Sequence, residues 1–237
     1  MPRVLLLLRP GLSAGCRGNE KNIRSAVPEA SIRGVPTPRE ARPAGHDGHD
    51  GAVLGAVLGA VLPSPVVRPR TPGDLPALVR SLGEQQPTSS YPMRWPLPFP
   101  VEQFIVREGQ ERSWVAVLGG RVVGHVGVGR PRGDVERAFL DALGVDDTAG
   151  LGIVEVLFTD LSVRGSGIGG LLLDTAVSWL RGQGRTPVLD VVTDHGTAID
   201  VYRHRGWRQV GSIRPPWLPE SEADLLLMVL PATPGPP

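Results

Sequence analysis

Residues 162–173, SVRGSGIGGLLL, set glycines at 165, 167, 169 and 170 directly before a leucine-rich run. Glycine weakens helices and strands, so four at one element boundary imply a backbone that must come close to something. A loop feeding a helix N-terminus offers unpaired N–H groups and the positive end of the helix dipole. That is an anion site, and a phosphate is its natural occupant. No Gly-Lys-Ser/Thr follows, so a Walker loop is excluded. A dinucleotide fingerprint is a serious rival. Gly165, Gly167 and Gly170 satisfy G-x-G-x-x-G, and Asp190 lies about twenty residues on, where a ribose-binding acid is expected. The surroundings disagree with it. The fingerprint normally opens a long series of βαβ units, and the strands that follow this loop read as an antiparallel end.

The elements that must position the loop can be read on both sides of it. LGIVEVLFTDLSV (151–163) predicts a long strand. Residues 168–181 predict an amphipathic helix, with Leu172, Ala176, Trp179 and Leu180 on one face and Asp174, Ser178 and Arg181 on the other. Gly182 and Gly184 end it. PVLDVV (187–192) reads as a strand. DHGTAIDVYRHRG (194–206) reads as a short helix capped by Asp194 and stopped by Gly206, and WRQVGSI and ADLLLMVL as two final strands. Upstream, VVRPR (66–70) is a short strand. Thr71 caps a helix carrying Leu75, Leu78, Val79 and Leu82. YPMRWPLPFP (91–100) is a proline-locked aromatic loop, and VEQFIVRE a second short helix. SWVAVLGGRVVGHVGVG is a hairpin around Gly119-Gly120. Residues 130–150 are polar and acidic, with ERAFLDALG as a short helix. The sum is a mixed α/β domain over 66–231, followed by a proline-rich tail at 232–237.

Composition bounds the rest. The chain has 237 residues, 41% of them hydrophobic, enough for one domain with a core plus a tail. A net charge of +1 gives no global field for nucleic acid or an anionic membrane. Lys21 is the single lysine, an arginine bias typical of G+C-rich coding sequence, and the folded part has no lysine for Schiff-base chemistry. Cys16 is the single cysteine, so no internal disulfide forms, and a reducing, cytoplasmic setting is expected. Residues 1–65 are low-complexity and are expected to be a disordered tail. The repeat GAVLGAVLGAVL would span about 18 Å as a helix against about 30 Å of hydrocarbon, so no membrane span is expected. The apolar run at residues 4–8 is broken by Arg9-Pro10, which argues against an export signal. His46 and His49, each followed by Asp, fit a tandem repeat better than a metal site, and no metal is expected.

LSVRGSGIGGLLL resembles the acyl-CoA loop of the GNAT superfamily of N-acetyltransferases, Arg/Gln-x-x-Gly-x-Gly/Ala, filled here by Arg164, Gly167 and Gly169. DHGTAIDVYRHRGW is similar to the second family signature. Ala198, Tyr202 and Gly206 fall in register, Trp207 stands for phenylalanine, and His195 occupies the asparagine slot. VVRPRTPGDLPAL is similar to the usual first strand and helix. The resemblance implies a mixed, mostly antiparallel sheet with a splayed central strand pair, flanked by helices. It implies acetyl-CoA as co-substrate, its diphosphate on the backbone of Arg164, Gly165, Ser166, Gly167, Ile168, Gly169 and Gly170. Pantetheine would bond to strand groups at Leu157, Thr159 and Leu161, and the Leu157 N–H would polarise the thioester carbonyl. Tyr202 is implied as the acid that protonates the departing thiolate, and Glu155 as the base that takes the amine proton.

On a regular strand Glu155, Leu157 and Thr159 would share a face. Tyr91 and Trp95 are candidates to wall the acceptor site or to pack as a lid. His125 reads as a satisfied strand histidine, His195 and His204 as surface or capping groups, and Asp190 as a group that orients local backbone. The activity implied is acetyl transfer from acetyl-CoA to a small primary amine or a protein N-terminus, by direct attack in a ternary complex. The acidic 130–150 segment hints at a cationic acceptor. Alternatives are a non-catalytic acyl-CoA-binding module and, remotely, a dinucleotide-dependent oxidoreductase. Homodimers are common among such proteins, but nothing in the chain specifies an interface.

Overall fold

In the computed structural model, residues 64–192 and 196–232 are described. The expectations for most of 1–65, for Asp194 and His195, and for most of the C-terminal tail lie outside the described residues. The elements are β1 (Val66–Pro69), α1 (Leu75–Ser89), α2 (Val101–Ile105), β2 (Arg112–Leu118), β3 (Arg121–Gly129), α3 (Gly133–Leu143), β4 (Leu151–Thr159), α4 (Ile168–Gly182), β5 (Thr186–Val192), α5 (Gly196–His204), β6 (Arg208–Ile213) and β7 (Leu225–Val229). They form one open sheet in the order β1-β2-β3-β4-β5-β7-β6. Among these neighbours the β4–β5 pair alone is parallel, so the sheet is not a doubly wound dinucleotide fold.

Local chemistry accounts for the corners. Gly119 and Gly120 have φ of 56° and 77°, the left-handed pair that a two-residue hairpin needs to match strand twist. At the β1–α1 corner, Asp74 accepts from Nη1 and Nη2 of Arg68, at 2.8 and 2.7 Å, and from the Thr71 N–H at 2.7 Å. Three apolar layers cover the sheet. α4 buries Leu172, Leu173, Ala176 and Leu180 against Val126, Val128, Leu189 and Met228. α1 packs Leu78 and Leu82 on Val115, Val156 and Phe158. Phe139 of α3 closes over Leu151, Ile153 and Val188.

Two departures from the expected strand shape the centre. First, β4 ends at Thr159 rather than Val163. The Asp160 carboxylate accepts from the Ser162 N–H at 2.8 Å and the Ser162 hydroxyl at 2.6 Å, which turns the chain into a 3-10 turn at Leu161–Val163. Second, β4 carries a bulge. Glu155 pairs with Gly127 and Phe158 with His125, so Val156 and Leu157 both answer Val126. Val156 takes φ of 52°, a left-handed conformation that a β-branched residue rarely adopts.

β4 and β5 touch through three residue pairs, Leu151 with Thr186, Gly152 with Pro187 and Ile153 with Val188. Beyond them β5 pairs with β7, and residues 154–159 of β4 are left without a β5 partner. The strands therefore part into a wedge that opens toward the glycine loop.

Candidate active site

The glycine loop sits where β4 delivers it, at the N-terminus of α4. Two of its N–H groups are used internally: Arg164 donates to Leu161 O at 3.2 Å and Ser166 to Val163 O at 3.1 Å. The N–H groups of Gly165, Gly167, Ile168, Gly169 and Gly170 have no backbone acceptor among the described residues. Gly165 and Gly167 have φ of 78° and 84°, so L side chains would be strained there. Gly170 serves another purpose. A Cβ on it would come within 2.2 Å of an Arg205 guanidinium nitrogen, and that guanidinium pairs with Asp174. Arg164 is exposed and lines the cavity, so the loop mouth carries one guanidinium beside its free amides.

A cavity of about 760 Å³ fills the wedge. Residues 153–159 of β4 form one wall, and Leu189, Asp190, Val191 and Val192 of β5 another; Tyr202 closes the floor and Tyr91 and Phe104 the roof. Glu155 is 11% exposed. Its Oε1 lies 3.3 Å from Gln110 Nε2 and its Oε2 3.7 Å from Arg107. Burial raises its pKa, opposed by Arg107, Gln110 and Arg132.

The shared face expected for Glu155, Leu157 and Thr159 is corrected by the bulge. Thr159 lies against Gly169 and Gly124 on the α4 side, and Leu157 packs into the α4 cluster. Glu155 instead lies beside Gly129 and Gln110, on the face that also carries Val156 and Phe158.

His125, fully buried, explains how the bulge is held. Its Nδ1 is 2.9 Å from Val156 O, and because a carbonyl only accepts, Nδ1 carries the proton. Its Nε2 has no hydrogen-bond partner. Burial pushes the imidazole pKa down to about 4, so the ring is neutral near pH 7. The satisfied strand histidine of the sequence reading is thus satisfied at one nitrogen only.

Asp190, expected to orient local backbone, faces the same cavity. Ile153 pairs with Val188, and continuing that register sets Glu155 beside Asp190 across the splay. Burial raises the Asp190 pKa, opposed by Arg107, and Asp190 in turn adds to the upward push on Glu155. The signal was present in the sequence, as a single acid inside each of two apolar strands, IVEVLF and VLDVV.

Tyr202 lines the cavity from α5 and packs edge-on against Trp207 at 5.8 Å. Burial, with Asp190 nearby, pushes its pKa up to about 12. Tyr91 meets Phe104 edge-on at 5.6 Å, and its carbonyl accepts from Gln85 at 2.7 Å; burial raises its phenol pKa as well. The tyrosine therefore both walls the cavity and packs on the core. Trp95 does not line the cavity. It is 37% exposed and rests on Gly83 of α1. Leu161 is 41% exposed in the 3-10 turn and offers no strand edge. His204 is exposed, with Nδ1 2.7 Å from Asp200 O. Among the described residues no His, Cys, Asp or Glu cluster could hold a metal, and no helix is long and apolar enough to cross a membrane.

A mostly antiparallel sheet, one parallel pair opened into a wedge, and a free-amide loop at the wedge mouth define an α/β fold of the N-acetyltransferase type. The chain belongs to the acetyltransferase (GNAT) family, whose model matches residues 77–207. Among solved structures it is similar to a ribosomal-protein-alanine N-acetyltransferase from Brucella melitensis, with 21% identity over 69% of this chain and 98% of that one and a TM-score of 0.53. It is similar to Arabidopsis thaliana NAA60 in complex with acetyl-CoA, with 20% identity over 70% and 97% and a TM-score of 0.52. A third likeness is to a histone acetyltransferase HPA2 and related acetyltransferase from Corynebacterium glutamicum, with 24% identity over 73% and 99% and a TM-score of 0.53. At these identities the likeness is one of fold. A search of curated proteins finds no significant match.

Proposed function

We propose that this protein transfers an acetyl group from acetyl-CoA to a primary amine by direct attack within a ternary complex. The observation that carries the reading is the unpaired β4 edge at residues 154–159, which leads from the free amides of the glycine loop to Glu155 and Tyr202 in one cavity. The diphosphate would rest on the amides of Gly165, Gly167, Ile168 and Gly169, with the Arg164 guanidinium beside it. The open edge would take the pantetheine amides, and the bulged Leu157 N–H would polarise the thioester carbonyl.

The amine nitrogen forms a bond to the carbonyl carbon and the C–S bond breaks. Glu155 accepts the proton shed by nitrogen, directly or through water, and Tyr202 gives its proton to the thiolate. A neutral phenol pushed up to about 12 is still protonated when needed, and a carboxylate with a raised pKa is a stronger base than an ordinary one.

The test is release of free thiol from acetyl-CoA in the presence of a panel of primary amines. Wild-type protein is expected to turn over at least one of them. Tyr202→Phe is expected to lower kcat by about 100-fold while still binding coenzyme. Binding without transfer to any amine would leave a non-catalytic acyl-CoA module.

A further inference from the structure

Several arginines line the cavity at the end away from the coenzyme loop. The loop follows the C-terminal end of β4, whereas Glu155 lies four residues before that end; across the bulge this matches the three residues of β3 from Gly127 to Gly124, about 10 Å at 3.3 Å per residue. Gly129 of β3 pairs with Ile153, still farther from the loop, and the chain leaves there as Arg130-Pro131-Arg132. Arg107 enters the same region from the segment after α2. The cavity mouth therefore holds Arg107, Arg130 and Arg132 against Glu108, Glu155 and Asp190.

These arginines are not equally engaged. Arg130 is occupied by Glu111 at 3.4 Å and by Ala149 O at 3.2 Å. Arg107 has a loose contact to Glu155 at 3.7 Å. Arg132 makes no ion pair or hydrogen bond among the described residues. Its guanidinium lies on Gly109, where a Cβ would come within 1.8 Å of Nη2, and its charge acts on Glu155. The acids of residues 130–150, which hinted at a cationic acceptor, do not line the cavity. Asp134 pairs with Arg137, and Glu136 accepts from Thr148. The same lining carries apolar side chains, Met93, Leu97, Phe99 and Phe104, with Arg94 and Gln103 among them.

We propose that the acceptor is a small primary amine that also bears a carboxylate on an apolar body, a hydrophobic amino acid, with Arg132 holding the carboxylate and Glu155 receiving the amine. A guanidinium and a carboxylate match in geometry as well as charge. This rests on the acetyltransferase reading above and adds its substrate class. The products are the N-acetyl amino acid and free coenzyme A thiol.

Three acceptors that differ in one group test it: phenylalanine, phenylalaninamide and phenethylamine. Phenylalanine is expected to exceed both others in kcat/KM by about tenfold or more, the worth of a charge-assisted contact. Arg132→Gln is expected to collapse that ratio by raising KM for phenylalanine, and Arg132→Lys to keep part of it. Equal or better turnover of phenethylamine, a ratio that survives Arg132→Gln, or transfer to none of the three would overturn the proposal. A parallel thermal shift with acetyl-CoA separates the two layers. Coenzyme binding without the carboxylate preference defeats this inference alone, and no coenzyme binding defeats the acetyltransferase reading with it.

Discussion

Glu155 sits between opposing forces, and their balance is measurable. Burial favours its protonated form, while Arg107 and Gln110 favour the carboxylate. A base must be ionised, so transfer should rise with pH through the raised pKa of this group. The acid limb of kcat/KM should therefore lie above the ordinary carboxylate value of 4.5, and Glu155→Gln should erase it with about a 100-fold loss of rate. A limb at or below 4.5 would move the base elsewhere. His125 gives a stability counterpart. Its folded pKa of about 4 lies below the ordinary 6.5, so the unfolded chain takes up the proton first as pH falls. The stability that the neutral ring contributes is full above about pH 6.5 and declines toward pH 4. His125→Phe keeps an aromatic ring but leaves Val156 O without its donor. It is expected to cost about 1–3 kcal/mol at pH 7, to lower kcat through the loosened bulge, and to flatten the decline in denaturant midpoint between pH 7 and 5. An unchanged decline would assign that proton to another group.

At the scale of elements, the β1–α1 corner is a charge-closed joint. The Arg68 guanidinium holds the Asp74 carboxyl well below the usual carboxylate range, and the Thr71 N–H adds to this. The depressed pKa means that the contribution of Asp74 is intact above the ordinary carboxylate range and is lost as pH falls through it toward the folded value. Arg68 is partly exposed, so Asp74→Asn is expected to lower stability at pH 7 by only about 1–2 kcal/mol, read as a fall in the thermal midpoint that shrinks in acid.

Elements like this one were legible because their signals are local. Gly119-Gly120 announces a hairpin, and the glycine run before Ile168 announces a helix start with free amides. The bulge in β4 left no such mark. Val156 is a strand former by type, and its φ of 52° is imposed by neighbours, among them the buried His125 that binds its carbonyl. Extrapolating a period of two across it put Glu155 on the wrong face. The early end of β4 was readable in principle, since Asp160 two residues before Ser162 is an Asx-type turn signal. The distribution of acids was not readable. Asp134 and Glu136 are consumed by local partners, whereas Arg132, two and four residues earlier, faces the cavity.

Across the whole domain, the sheet is two smaller sheets joined at a seam. β1 to β4 form one and β5, β7 and β6 the other, and three residue pairs at Leu151, Gly152 and Ile153 connect them. α4 reinforces the seam by burying Leu172 and Leu180 in a cluster with Val154 from one half and Leu189 and Met228 from the other. A ligand along the open edge would add contacts to both halves at once, where the protein makes fewest of its own. Acetyl-CoA should therefore stabilise the folded state by about 2.7 kcal/mol at 100 times its dissociation constant, seen as a raised thermal midpoint. Protection from hydrogen exchange should rise at residues 154–159 and at the first turn of α4, and not at the distant β1–β2 edge. Gly167→Asp should abolish both effects, because an L side chain at φ 84° is strained and its carboxylate would meet the diphosphate. A midpoint shift that survives Gly167→Asp would put the coenzyme somewhere other than the wedge, and protection spread evenly over all seven strands would mean that the seam is not where the ligand acts.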